Sequence, residues 1–150
     1  MTSPPGRAER PGNNVSEEAQ DMARILVIED DEFVRLTVSQ ALEHAGHVVA
    51  NAANGDMGLK IFGEFQPDLV ITDLVMPEKE GIETIVELRK LEPDLKIIAM
   101  SGGGRTKDMI FLDVAQQLGA YRALPKPFSI EALNSAVFDC LYPTEPNYDA

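Results

Sequence analysis

Cysteine is nearly absent from the 150 residues: Cys140 stands alone, so no intrachain disulfide can form. Basic residues are scarce, 13 Lys and Arg against 25 Asp and Glu for a net charge of -12. A broad electrostatic grip on nucleic acid or on an anionic membrane surface is thereby disfavoured. The acid is left for solubility, a cation or a basic partner. The first twenty residues hold no apolar run of the kind that a secretory signal or a membrane span requires. A cytoplasmic protein without membrane insertion is the reading. No internal repeat is present, and the length suits one domain, because an effector module such as a helix-turn-helix would need dozens more residues. No direct contact with nucleic acid is therefore expected.

What is present is a 44% hydrophobic share, enough for one proper core. Residues 1–22 are rich in Pro, Gly, Asn, Ser and charge and read as a disordered N-terminal extension. They carry Arg7 and Arg10 against Glu9, Glu17, Glu18 and Asp21, so most of the excess acid lies in the remainder. Residues 143–150, PTEPNYDA, hold two prolines and no apolar period and read as a disordered tail. The folded domain is placed at 23–142, about 120 residues, a common single-domain size.

Within it two kinds of segment alternate. Short apolar runs at Ile25–Ile28, His47–Ala50, Leu69–Thr72 and Leu95–Met100 read as strands, with Tyr121–Leu124 as a weaker fifth. Continuous apolar runs suit strands covered on both faces. Val34, Val38, Ala41, Leu42 and Ala45 have helical spacing, as do Ile110, Phe111, Val114 and Leu118. Gly46 and Gly119 sit where helices end, and Ser129 where the last begins. Five such units predict a three-layer α/β sandwich with a five-stranded parallel sheet. In such sheets the ligand crevice lies beyond the carboxyl ends of the strands.

Polar residues gather at those ends: Glu29, Asp30 and Asp31 after the first strand, Asp73 after the third, Ser101 after the fourth and Lys126 after the fifth. Taken alone, the acidic triplet also fits a solvated helix start, where carboxylates cap free N–H groups. Asp73 places another carboxylate beside it, at the end of an apolar strand. Carboxylates held that close repel one another, so protons or a cation must neutralise them. Oxygen ligands without nearby His or Cys suit Mg2+ or Mn2+. His44 and His47 lie at the wrong end of their elements and read as surface or helix-end residues. With a phosphorylated donor in the crevice, Asp73 is the candidate nucleophile and Lys126, between Pro125 and Pro127, the ammonium that neutralises phosphoryl oxygens. Ser101 could donate a hydroxyl hydrogen bond to the same group, or simply end a strand before Gly102, Gly103 and Gly104.

These residues resemble the receiver domain of bacterial two-component response regulators over about Ala23 to Leu141. ILVIEDDEFVR, NGDMGLKIF, PDLVITDLVMPEKEG, IIAMSGGG and GAYRALPKPFSIEAL carry the resemblance. It implies a flavodoxin-like fold of strand order 2-1-3-4-5 and a phosphoacceptor at Asp73. It also implies Mg2+ bound by Asp30, Asp73 and the backbone carbonyl of Val75, with Glu29 acting through water. The spacing from Arg35 leaves Asp31 as a helix cap. Ser101 and Lys126 match the family's hydroxyl and lysine, and the Lys126–Pro127 bond is expected to be cis. One departure stands out: the family's switch aromatic falls at Ala123. Tyr121 is the nearest substitute, two residues earlier, and movement of the Gly102–Gly104 loop on Ser101 is the other route.

The resemblance implies a single-domain response regulator, not an enzyme beyond its own phosphorylation and dephosphorylation. It would take its phosphoryl group from a histidine kinase or a histidine phosphotransfer protein and alter binding to a downstream protein target. Monomer or homodimer is left open. A phosphorylation-independent adaptor is the alternative. An aspartyl-nucleophile phosphohydrolase ranks below it, because the position two residues after Asp73, where a general acid would stand, is Val75. Val75, Met76 and Gly103 offer no side chain to position water, so a long-lived phosphoaspartate is expected.

Overall fold

The computed structural model describes residues 22–74, 81–102, 113–114 and 116–143. Five parallel strands, β1 (Arg24–Ile28), β2 (Val48–Ala52), β3 (Leu69–Asp73), β4 (Lys96–Ser101) and β5 (Arg122–Pro125), form one sheet in the order β2-β1-β3-β4-β5. Helices α1 (Glu32–His44), α2 (Gly55–Phe65), α3 (Gly81–Leu91) and α4 (Ile130–Leu141) cover it. The flavodoxin-like order implied by the resemblance is the order found. Because strand order reverses between β1 and β3, a crevice opens where their carboxyl ends diverge.

Burial follows position in the sheet. Every residue of β1 and β3 is buried, as is β4 after its first residue, which is why these runs are apolar without alternation. The edge strands β2 and β5 are only partly covered. On one face Ile25, Val27, Ile71 and Met100 meet Val38 and Leu42 of α1 and Leu133 and Val137 of α4. On the other, Leu26, Ile28, Val70 and Ile97 meet Ile85 and Leu88 of α3, with Leu59 and Phe62 of α2 packed against them. Each fully buried Leu or Ile contributes roughly 1.5–3 kcal/mol of transfer free energy, so the two apolar layers hold the sheet rigid under the site.

The helix boundaries have local causes. Asp31, Asn54 and Ser129 are N-caps whose side chains accept from the N–H groups of Val34, Met57 and Ala132. Gly46 and Gly119 have φ of +103° and +99°, a region closed to most side chains. Some sequence expectations shift. β2 runs to Ala52 rather than from His47 to Ala50, because Asn51 enters the strand with its Oδ1 accepting from the Ser39 hydroxyl. Ala45 is the exposed C-cap of α1, not part of its buried stripe. Leu95 and Tyr121 precede β4 and β5, while Asp73, Ser101 and Pro125 extend β3, β4 and β5. Of the stretch 110–118, residues 113–114 and 116–117 are helical; Ile110 and Phe111 lie outside the described residues. So do 1–21 and 144–150, the bulk of the two expected tails.

Candidate functional site

β1 and β3 lie side by side, Ile28 opposite Thr72, so the residues that follow them, Glu29 and Asp30, meet Asp73. One carboxylate oxygen from each of Glu29, Asp30 and Asp73 lies within 4.8 Å of the others. Glu29 and Asp73 are buried, at 1% and 5% exposure, while Asp30 faces solvent. Asp31 stands apart as the α1 cap.

β5 brings the cation. Ser101 lies opposite Pro125 in the sheet, and the Lys126 N–H donates to the Ser101 carbonyl at 2.6 Å. From there the Lys126 ammonium donates to Glu29 Oε1 at 2.9 Å and sits 3.4 Å from Asp73 Oδ1. The Lys126–Pro127 peptide bond is cis, as the resemblance implied. The other Glu29 oxygen, Oε2, accepts from the Asp31 N–H at 3.1 Å, and the Glu29 carbonyl accepts from the Arg35 guanidinium at 2.9 Å. Glu29 is therefore fixed by its side chain and its backbone at once.

The electrostatics follow from burial and from charge count. Burial raises the Asp73 carboxyl above its ordinary range; Lys126 opposes this and Asp30 adds to it. Burial also raises Glu29, with the hydrogen bond from Lys126 acting against it and the charge of Asp73 reinforcing it. For Lys126 burial acts downward, but the hydrogen bond to Glu29 and the charges of Asp73 and Glu29 outweigh it, and the ammonium is held above its usual value. Among the described residues, three carboxylates gather where Lys126 supplies the one ammonium, paired with Glu29 and Asp73. That imbalance, with oxygen donors alone, fits a hard divalent ion.

Asp73 is aimed by contacts on both sides. The Leu74 N–H donates to the Met100 carbonyl at 2.9 Å, and the Gly81 N–H donates to the Leu74 carbonyl at 2.9 Å. A Cβ on Gly81 would lie 2.1 Å from the Asp73 carbonyl oxygen and 2.4 Å from Leu74 Cα. Only glycine lets α3 start this close to the end of β3. The signal of this requirement in the sequence is a glycine opening a helix where Ser, Asp or Asn would ordinarily cap. Arg35, which the sequence offered only as a register mark, holds the acidic turn through the Glu29 carbonyl. Ser101 is fully buried at the end of β4 and Gly102 is exposed just beyond it. Val75, Met76, Gly103 and Gly104 lie outside the described residues. His44 is exposed, and His47 Nδ1 accepts from the Ala23 N–H at 3.1 Å; neither joins the carboxylates.

Residues 25–138 match the response regulator receiver domain family. The chain belongs to that family. This receiver domain is 38% identical over 124 residues to the DNA-binding transcriptional regulator NtrC of Azospirillum brasilense, covering 83% of this chain and 25% of that protein. It is 36% identical over 116 residues to the chemotaxis protein CheY of Thermotoga maritima, covering 74% and 94%. A solved response regulator receiver domain protein from Clostridium thermocellum superposes with a TM-score of 0.74 at 32% identity, covering 79% and 94%. The chain thus spans a quarter of the NtrC relative and nearly all of the CheY relative. The family to which it belongs is that of two-component response regulators. In this receiver Ala123 is a partly buried β5 residue opposite Ala99, and Tyr121, 43% exposed, precedes the strand with its N–H donating to the Ile97 carbonyl. Among the described residues no helix is long and apolar enough to cross a membrane.

Proposed function

We propose that Asp73 accepts a phosphoryl group from a histidine kinase or a histidine phosphotransfer protein and that the chain signals through altered binding to a downstream protein. The observation that carries this reading is the buried Asp73 carboxylate, with Lys126 Nζ 3.4 Å away and the oxygens of Glu29 and Asp30 within 4.8 Å. The carboxylate oxygen attacks phosphorus, the phosphorus–nitrogen bond of the donor phosphohistidine breaks, and the imidazole leaves with its electron pair. Lys126 turns from Asp73 toward the new phosphoryl oxygens, and Ser101 donates its hydroxyl to one of them.

Asp30 and Asp73, with the Val75 backbone carbonyl, are the residues we assign to Mg2+ or Mn2+. Glu29 has one oxygen held by Lys126 and the other by the Asp31 N–H, which suits action through water. When bound, such an ion supplies charge neutralisation for the phosphoryl oxygens. Ala123 offers no ring to swing inward, so we assign the switch to Ser101 and the adjoining Gly102, with Tyr121 as the exposed reporter on the partner surface. We place this activity in the cytoplasm.

Intact mass spectrometry after incubation with magnesium and acetyl phosphate tests the reading. Wild type should gain one phosphoryl group and Asp73→Asn none. A folded wild-type protein that gains nothing under these conditions would instead support a phosphorylation-independent adaptor.

A further inference from the structure

Phe138 and Tyr142, at the end of α4, pack with ring centroids 5.0 Å apart yet remain 53% and 40% exposed. With Ala45, His47 and Asn134 they help line an open groove of about 260 Å³. The groove lies where α1 ends and β2 begins, at the amino-terminal edge of the sheet and so at the opposite end of the strands from Asp73. Among the described residues Asn134 Oδ1 is a buried acceptor without a hydrogen-bond partner. A buried acceptor left unpaired is costly, so this seat suits a group that combines an aromatic ring with a donor.

Both ends of the described chain leave beside the groove. The Ala23 N–H is bonded to His47, and Tyr142 caps α4 before Pro143. Residues 1–21 contain no aromatic side chain, whereas 143–150 contain Tyr148, whose ring and phenolic O–H supply both requirements. Asn134 lies eight residues before Tyr142, about 12 Å along the helix. The six residues from Tyr142 to Tyr148 can span up to about 20 Å, and a tether this short gives a local concentration in the millimolar range.

We propose that Tyr148 folds back within its own chain into this groove, its ring against Phe138 and Tyr142 and its hydroxyl donating to Asn134 Oδ1. NMR on the full isotope-labelled chain tests this against Tyr148→Phe and Tyr148→Ala. Expected are ring-to-ring NOEs between Tyr148 and Phe138, and shifts of the Asn134, His47 and Phe138 resonances in Tyr148→Ala. Tyr148→Phe should retain the ring NOE and move the Asn134 side-chain amide. Absence of the NOE with unshifted resonances would overturn the proposal. So would an NOE that fades on dilution as the apparent mass falls, which would put the tail of a second copy in the seat. Acetyl phosphate labelling of Asp73 should be equal in all three proteins, because the groove and the acceptor lie at opposite ends of the sheet.

Discussion

Replacing Asp73 by Asn should stabilise the fold when divalent ions are absent and should forfeit most of the stabilisation that those ions provide. In metal-free solution Asp73 attracts Lys126 at 3.4 Å, worth about 5 kcal/mol at an effective dielectric of about 20. It repels Glu29, whose oxygen is no more than 4.8 Å away, by at least about 3.5 kcal/mol on the same scale. Asp30 is exposed, and solvent screens its share to well under about 1 kcal/mol. These Coulomb contributions nearly cancel, which leaves burial of the Asp73 carboxylate as the deciding cost, several kcal/mol per ion after relaxation. Asn keeps the shape and removes the charge, so a gain on the order of 2 kcal/mol is expected. Magnesium at a hundred times its dissociation constant should then add about 2.7 kcal/mol to wild type and much less to the variant, reversing their order. Urea denaturation followed by far-ultraviolet circular dichroism, in EDTA and in magnesium, measures both differences. A variant less stable than wild type in EDTA would refute the reasoning, because the carboxylate would then be stabilising on its own.

Gly81→Ala should cost at least about 1–3 kcal/mol as an overpacked contact and should slow acetyl phosphate labelling, since the added methyl pushes on the Asp73 carbonyl; a variant matching wild type in stability and labelling would remove that contact from the account. Burial pushes the Cys140 thiol up to about 11 from 9.0. A raised folded-state value contributes stability that is present below the unfolded value and is lost as pH rises through the folded one. Denaturation midpoints should therefore fall between pH 9 and 11 by the equivalent of about 3 kcal/mol, a decline that Cys140→Ala should lack, and native labelling by iodoacetamide at pH 8 should be far slower than in urea. Arg89 donates to the carbonyls of Pro93, Leu95, Leu118 and Gly119, so Arg89→Leu should lose about 2–3 kcal/mol, read as a lower urea midpoint at unchanged slope.

Three buried strands could be located from the sequence because both their faces are covered and their apolar runs have no competing period. The caps at Asp31 and Ser129 were equally accessible, since capping is a short-range interaction. Arg24 was not: a charged residue that opens a central strand runs against the apolar pattern, and it is tolerated because its guanidinium donates to the Phe65 carbonyl and lies 4.3 Å from the centre of the Phe65 ring. Those partners are forty residues away in the chain, and local pattern carries no information about them. At the site, the residue types and their strand-end positions were readable, and the resemblance set the capping Asp31 apart from Glu29 and Asp30. The tether from Arg35 to the Glu29 carbonyl and the approach of Gly81 to Asp73 were not, because each depends on how α1 and α3 pack once the sheet exists.

The hydrogen bond from Gly81 to the Leu74 carbonyl has a consequence for engineering. It ties the first residue of α3 to the residue that follows Asp73, so the helix and the end of β3 move as one body. The exposed positions of α3 are therefore places from which Asp73 can be tuned at a distance, by substitutions that touch none of the charged groups around it.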